Sequence, residues 1–301
     1  MSLIDRCFFM LMHAVYKRVP KIKKYKRSLT KSVEKSGVIK QGHTMFFPSY
    51  EKLFYCDKST GEGFFFRCKA ITDKGKYPVI IFHHGNGLHR AGKNNRQLDE
   101  FTKLMKKLNK QKCHQVAIHL DAACEYNTAE HSRALDGFIE YLQNTYNNVD
   151  FDRIYLAGIS HGGYACVYEV LRNPDKYAAA VISMAYIFDD ELMSAKEEYK
   201  NPFIRNLTDE DYKNLSETPF YISWAKDDSI AITVSNEKLS KNLKGKSKYY
   251  KEKIYETGGH SIAYDFFKNS DWDEWLFALS NQKNIPFLFK KTFLLTDIIV
   301  L

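Results

Sequence analysis

The chain has 301 residues, 44% apolar and 27% charged, enough apolar side chains for one large core or two modest ones, so disordered and collagen-like architectures are excluded. Its net charge of +9 lies wholly in residues 1–40, where eleven Lys/Arg face two acids, while the remaining residues hold 34 of each sign. A body with no net charge has no bulk footprint for polyphosphate, which excludes nucleic acid as its partner and leaves any anionic contact to the N-terminal arm.

No stretch reaches the roughly eighteen apolar residues of a membrane-spanning helix. Residues 7–16, Cys-Phe-Phe-Met-Leu-Met-His-Ala-Val-Tyr, form a short apolar block, and Lys17 to Arg27 places seven Lys/Arg in eleven residues. A secretory signal has largely the reverse order of charge and apolar block. Residues 1–44 therefore read as a basic arm of one of two kinds. Either the block docks on the domain and a solvated linker runs through Pro20 to Gly42, or the arm makes a weak interfacial contact with an anionic membrane surface, each cation contributing about 1 kcal/mol there. The expected location is the cytoplasm, peripheral to a membrane in the second case, with secretion left open.

From residue 45 onward, short β-branched or aromatic runs alternate with helical periods. Lys52–Tyr55 and Gly63–Cys68 suggest an antiparallel hairpin, followed by strand-like runs at Val79–His83, Gln115–Leu120, Arg153–Ala157, Ala179–Met184, Phe220–Trp224 and Lys251–Tyr255. Helical periods fall at Asn94–Asn109, Ala129–Tyr146, His161–Arg172, Val234–Asn242 and Ile262–Leu279. This alternation predicts an α/β fold, a mainly parallel doubly wound sheet with helices on both faces, opened by antiparallel strands. The connection between Met184 and Phe220 is far longer than the roughly two to six residues a turn needs, so residues 186–218 are expected to form a small inserted cap. Its aromatic residues, Tyr186, Phe188, Tyr199, Phe203 and Tyr212, suggest either a partly apolar pocket or packing of the insertion itself. Asn206-Leu-Thr208 and Asn214-Leu-Ser216 match glycosylation acceptors, but Thr208 followed by Asp209, Glu210 and Asp211 reads more simply as a helix cap.

The six cysteines include no C-x-x-C pair and read as buried, reduced thiols. Cys56 and Cys68 lie about symmetrically around the Ser59–Gly63 turn, a spacing that would let them bridge the hairpin in an oxidising compartment. His83 and His84 are adjacent on a strand and point to opposite faces, a poor arrangement for sharing a metal ion.

The motif carrying chemistry is Gly158-Ile-Ser160-His-Gly162-Gly163, which follows a buried strand and opens a helix. There a sharp turn lifts a serine hydroxyl above the sheet edge. A serine at its free pKa is a poor nucleophile and needs a base, held in turn by a carboxylate. In a doubly wound sheet both come from later loops at the strands' carboxyl ends, in the order acid then histidine. Lys226-Asp227-Asp228-Ser229 and Glu256-Thr-Gly-Gly259-His260-Ser261 stand in that order. His260 is the candidate base and Asp228, ahead of Asp227, the candidate acid. The oxyanion needs two amides, one from His161 and one from the run Pro78–Gly87, through Asn86.

With these residues in place, the sequence resembles the α/β-hydrolases, and more narrowly the bacterial predicted-peptidase and phospholipase/carboxylesterase-like group that includes feruloyl and polyhydroxybutyrate-depolymerase-type esterases. The resemblance rests on His84-Gly85-x-Gly87 with Gly92 and Asn95, on Val149-Asp-Phe-Asp-Arg153-Ile-Tyr155 leading into Gly158–Tyr164, and on Asn173-Pro-Asp-Lys-Tyr177-Ala. The Asp228 loop, Gly259-His260 and Trp272-x-x-Trp275-Leu276 complete it. It spans about residues 65–280 and implies an α/β-hydrolase domain over 45–283, a tail over 284–301, and a serine hydrolase acting on a small-molecule ester with no cofactor and no metal. Trp224-Ala225 stands where the group commonly has His-Gly, and the Tyr186–Thr218 insertion has no simple counterpart, so substrate preference does not carry over. A peptidase, an acyltransferase or a non-catalytic binding module on the same fold are the alternatives; oligomeric state is not legible.

Overall fold

The structure, a computed structural model, describes residues 19–32, 37–43, 49–58, 62–85, 105–119, 126, 128–185, 207–228, 233–247 and 249–280. Nine strands form one sheet in the order β1-β2-β3-β5-β4-β6-β7-β8-β9. They are β1 (Gly37–His43), β2 (Glu51–Asp57), β3 (Glu62–Lys69), β4 (Tyr77–His83), β5 (His114–His119), β6 (Val149–Ile159), β7 (Ala179–Ser183), β8 (Phe220–Ala225) and β9 (Lys251–Tyr255). The first three pair antiparallel, β3 meets β5 antiparallel, and from β5 to β9 every pairing is parallel. In β4, β6, β7 and β8 the central residues are buried without alternation, as expected for parallel strands covered on both faces.

The helices are α1 (Val19–Lys31), α2 (Ala129–Tyr146), α3 (His161–Arg172), α4 (Asp209–Ser216), α5 (Thr233–Leu243), α6 (Ile262–Asn269) and α7 (Trp272–Phe277). Thr128 caps α2 by accepting from the His131 amide, and Asn147 ends it in the left-handed region at φ 50°. The buried face of α2, Ala134, Leu135, Phe138, Ile139 and Leu142, lies on the sheet, with Phe138 stacked on Phe66 of β3 at 4.2 Å. No helix among the described residues is long and apolar enough to cross a membrane.

Several expectations are corrected. The stretch from residue 17 to Gly42 is not a solvated linker, because residues 19–31 are helical and Gly37–His43 pairs with β2. The period-2 signal of β1 is weak since its residues are half-buried or exposed at the sheet edge, and the sheet begins at residue 37 rather than 45. Cys56 and Cys68 do not face each other. Cys56 pairs with Gly63 and Cys68 with Glu51, an odd offset that puts the two thiols on opposite faces of the sheet, both free and buried. The helix expected over Ile262–Leu279 breaks at Ser270-Asp271, where the Asp271 carboxylate leaves the helix to accept from Tyr221 at 3.1 Å and to pair with Lys251.

The Asn94–Asn109 helix falls mostly outside the described residues, whose part of it, Met105–Lys110, is 3-10. Of the expected cap, residues 207–218 are described. They form α4, where Thr208 and Asp211 make a reciprocal capping box and Tyr212 and Leu215 are buried in the main core. Tyr212 is therefore a packing residue, not a pocket wall.

Behind α3 lies a buried carboxylate, Glu169, fully inaccessible. It accepts from Ser132 at 2.5 Å, Tyr177 at 3.1 Å and the His131 ring at 3.2 Å, with Arg172 at 3.6 Å, so it joins α2, α3 and the approach to β7. Burial by itself would raise this carboxyl, but the His131 hydrogen bond and charge, Ser132 and Arg172 outweigh it and hold it at about 2, below an ordinary 4.5. A folded-state value below the unfolded one stabilises the fold above pH 4.5 and loses that contribution as pH falls toward 2. Glu169→Gln is expected to cost about 3 kcal/mol at neutral pH and to flatten the decline of stability between those pH values, measured by urea unfolding across the acid range.

Candidate active site

The order of strands reverses around β4. From β4 the chain moves out to β5 on one side and returns to β6 on the other, which opens a crevice at the carboxyl ends of β4 and β6 where an open parallel sheet binds its ligands. Ser160 stands there, at the junction of β6 and α3.

Its backbone is at φ 56° and ψ −120°, a left-handed conformation that costs a non-glycine residue about 1–3 kcal/mol. Two backbone bonds hold it: the Ser160 amide donates to the Ser183 carbonyl at 2.9 Å, and its own carbonyl accepts from Tyr164 at 3.2 Å to start α3. Ser160 occupies the N-cap position, yet its side chain makes no cap hydrogen bond, so capping does not account for a serine here. The glycines of the motif are required by contact. A Cβ on Gly158 would lie 2.2 Å from the Gly162 carbonyl oxygen, and one on Gly162 would lie 2.1 Å from the His83 carbonyl oxygen. A Cβ on Gly85, just past β4, would stand 3.2 Å from the Ser160 Cβ, so the loop leaving β4 passes beside the serine.

Two further loops converge on the same end of the sheet. Asp228 follows β8 and is 6% exposed. Its Oδ2 lies 2.8 Å from Nδ1 of His260, which sits in a 3-10 turn just past β9. An ionised carboxylate only accepts, so Nδ1 carries the proton and Nε2 presents a lone pair. The His260 side chain is 24% exposed and the Asp228 side chain 1%, so the ring reaches solvent while the carboxylate is shielded.

The neighbouring Asp227 has a different task, one the sequence reading did not assign. Its two carboxylate oxygens accept from the amides of Gly258 at 3.1 Å and Gly259 at 2.8 Å, and these hydrogen bonds, Gly259 first, hold its carboxyl below the usual range. Both glycines have positive φ, at 121° and 52°, conformations that expose successive amides to one acceptor. Lys226 reinforces the same junction, its amide donating to the Tyr255 carbonyl and its ammonium pairing with Glu256 at 2.7 Å. Only the Asp-Gly-Gly pattern across two distant loops could have signalled this clamp.

His161, the first residue of α3, places its amide at the helix N-terminus, where partial positive charge favours an oxyanion. Its ring stacks on Tyr126 at 5.4 Å, and Tyr126 also meets the rings of His83, His84 and His131. Asn86, expected to give the second oxyanion amide, lies outside the described residues. Among the described residues no group of three or more His, Cys, Asp or Glu side chains is disposed to hold a metal ion.

The antiparallel opening, the β5-β4-β6 reversal, a serine after β6, an acid after β8 and a histidine after β9 together decide the architecture. The chain has the α/β-hydrolase fold. The model of the prolyl oligopeptidase family matches residues 135–283, just under half of the chain and the part that holds all three side chains. Among solved structures, a thermostable esterase is similar at a TM-score of 0.62 and 21% identity, over 77% of this chain and 63% of that one. The acylaminoacyl peptidase of Pyrococcus horikoshii is similar at 0.55 and 17%, over 71% of this chain and 38% of that one. A ferulic acid esterase is similar at 0.53 and 14%, over 83% and 98%. The chain thus spans less than two thirds of the first two. No curated protein matches by sequence.

The Asp227 clamp is testable without a substrate. Asp227→Ala should speed hydrogen exchange at the Gly258 and Gly259 amides by about tenfold while leaving the global unfolding midpoint unchanged.

Proposed function

We propose that this α/β-hydrolase cleaves carboxylic esters through an acyl-enzyme formed on Ser160, with Asp228 and His260 completing the triad. The observation that carries the proposal is the shielded Asp228 carboxylate on Nδ1 of a half-exposed His260, at the same sheet end as a serine held in a left-handed turn. In this mechanism His260 Nε2 takes the hydroxyl proton as Ser160 attacks the acyl carbonyl carbon. The tetrahedral oxyanion accepts from the His161 amide and, in this reading, from Asn86. Collapse expels the alcohol, which leaves with the proton from His260, and water then attacks the acyl-enzyme by the same proton transfers in reverse order. Asp228 fixes the imidazole tautomer and stabilises the imidazolium that forms at each transfer. No cofactor enters any step.

A peptidase reading is favoured by one observation, the match to the prolyl oligopeptidase family over residues 135–283. The two readings share the triad and differ in the leaving group. An amine must be protonated as it departs, so a peptidase depends more heavily on proton return from His260.

Intact-mass labelling with a fluorophosphonate tests the activated serine directly. A single adduct on the wild-type protein, absent from Ser160→Ala and His260→Ala, is expected. Asp228→Asn should lower kcat/KM for an activated ester by about 10⁴-fold, because the asparagine favours the wrong tautomer. Turnover of aryl and alkyl esters with amide turnover lower by orders of magnitude supports the esterase. The reverse ranking selects the peptidase, and the absence of any adduct on folded wild-type protein rejects both.

A further inference from the structure

Some surface cations among the described residues are matched with acids, such as Lys40 with Glu51, Lys112 with Asp73, Arg133 with Asp57 and Glu130, Lys226 with Glu256, and Lys251 with Asp271, while exposed lysines such as Lys74, Lys110 and Lys246 are scattered singly without an ion pair. Helix α1 is different. It contains no acid, and its exposed positions include Lys21, Lys23, Lys24, Arg27 and Lys31. None of these five makes an ion pair among the described residues.

The reason lies in how α1 is docked. Tyr25 and Leu29 pack against Phe54, Phe65 and Cys56 on the outer face of β2 and β3, with Tyr25 stacked on Phe65 at 6.1 Å. Lys26 and Thr30 are buried as well, Lys26 with its ammonium over the ring of Phe64, a main-core residue, at 5.5 Å and Thr30 accepting Lys58 on its carbonyl at 3.0 Å. Tyr25 and Leu29 thus face the sheet, and Lys24, Arg27 and Lys31 line the outward ridge at i, i+3 and i+7 spacing. Like charges at this spacing repel along a helix, and no acid among the described residues pairs with them. An anionic surface would.

We propose that the α1 ridge docks on the anionic face of a lipid bilayer. A helix of this length is about 20 Å long, a flat footprint suited to a membrane plane, and the neutral body offers no basic track for a polynucleotide to continue along. In the sequence an apolar block, residues 7–16, precedes the basic ridge, so the chain carries both kinds of signal, basic and apolar, that stable peripheral attachment requires. The inference is independent of the catalytic reading.

The test is cosedimentation of the full chain with vesicles of phosphatidylcholine alone and of phosphatidylcholine mixed equally with phosphatidylserine, at low and physiological salt. Binding to the mixed vesicles that weakens with salt is expected, and the variant Lys24→Gln/Arg27→Gln/Lys31→Gln should partition about a hundredfold more weakly with an unchanged unfolding midpoint and unchanged fluorophosphonate labelling. If the triple variant fails to fold, the salt dependence of the wild-type chain decides. Equal binding to both vesicle types, no binding to either, an unaffected triple variant, or tighter binding to a duplex oligonucleotide at matched salt overturns the proposal.

Discussion

The turn at Ser160 is the constraint on which the site depends. A residue with a side chain is held at φ 56° between a buried strand and a buried helix, a conformation that relaxes unless its surroundings over-determine it. They do so by contact. Gly158 lies against Gly162, Gly162 against the end of β4, and Gly163 against Ala185, so the three glycines close three backbone surfaces onto one another. The amide of Ser160 is tied to β7 and its carbonyl to α3. Stiffness here comes from the packing of the sheet, and the serine hydroxyl is left without a structural duty.

Two adjacent carboxylates divide the work of positioning the base. Asp228 turns inward and orients the ring of His260, while Asp227, fully at the surface, holds the backbone that carries it. A loop with two consecutive positive-φ glycines is pliable in isolation, and the clamp removes that freedom where it would blur the ring's position. The buried Glu169 acts similarly one layer deeper, tying α2 to the back of α3. The same principle recurs, since each carboxylate is satisfied by several donors from different elements and so links pieces of chain that sequence keeps apart.

The antiparallel end of the sheet serves another purpose. It adds β1 beyond β2 and covers the outer face of β2 and β3 with α1, which docks there through Tyr25 and Leu29. The result is a helix without an acid that carries five exposed cations, Lys21, Lys23, Lys24, Arg27 and Lys31.

The sequence by itself determined the α/β alternation, and it singled out Ser160, Asp228 and His260 as candidates in that order, because each is a local signal. Unbroken apolar runs mark buried parallel strands, a G-x-S-x-G-G run marks a close-packed turn, and Asp or Gly-His after a strand marks a loop at its end. Helices Ala129–Tyr146 and His161–Arg172 were legible to the residue, the first from its Thr128 cap and apolar period and the second from the glycine turn that opens it. What it left undecided was set by contacts between distant segments. The sequence ranked Asp228 ahead of Asp227 but gave Asp227 no task, which only the tertiary contacts reveal: Asp228 faces His260 and Asp227 faces the glycine amides. Cys56 and Cys68 were separated by strand register, which no spacing rule around a turn reveals. β1 and α1 were hidden in a basic stretch whose composition reads as linker, and they fold because the edge of β2 and the outer face of β3 supply hydrogen bonds and apolar surface that this segment cannot find within itself.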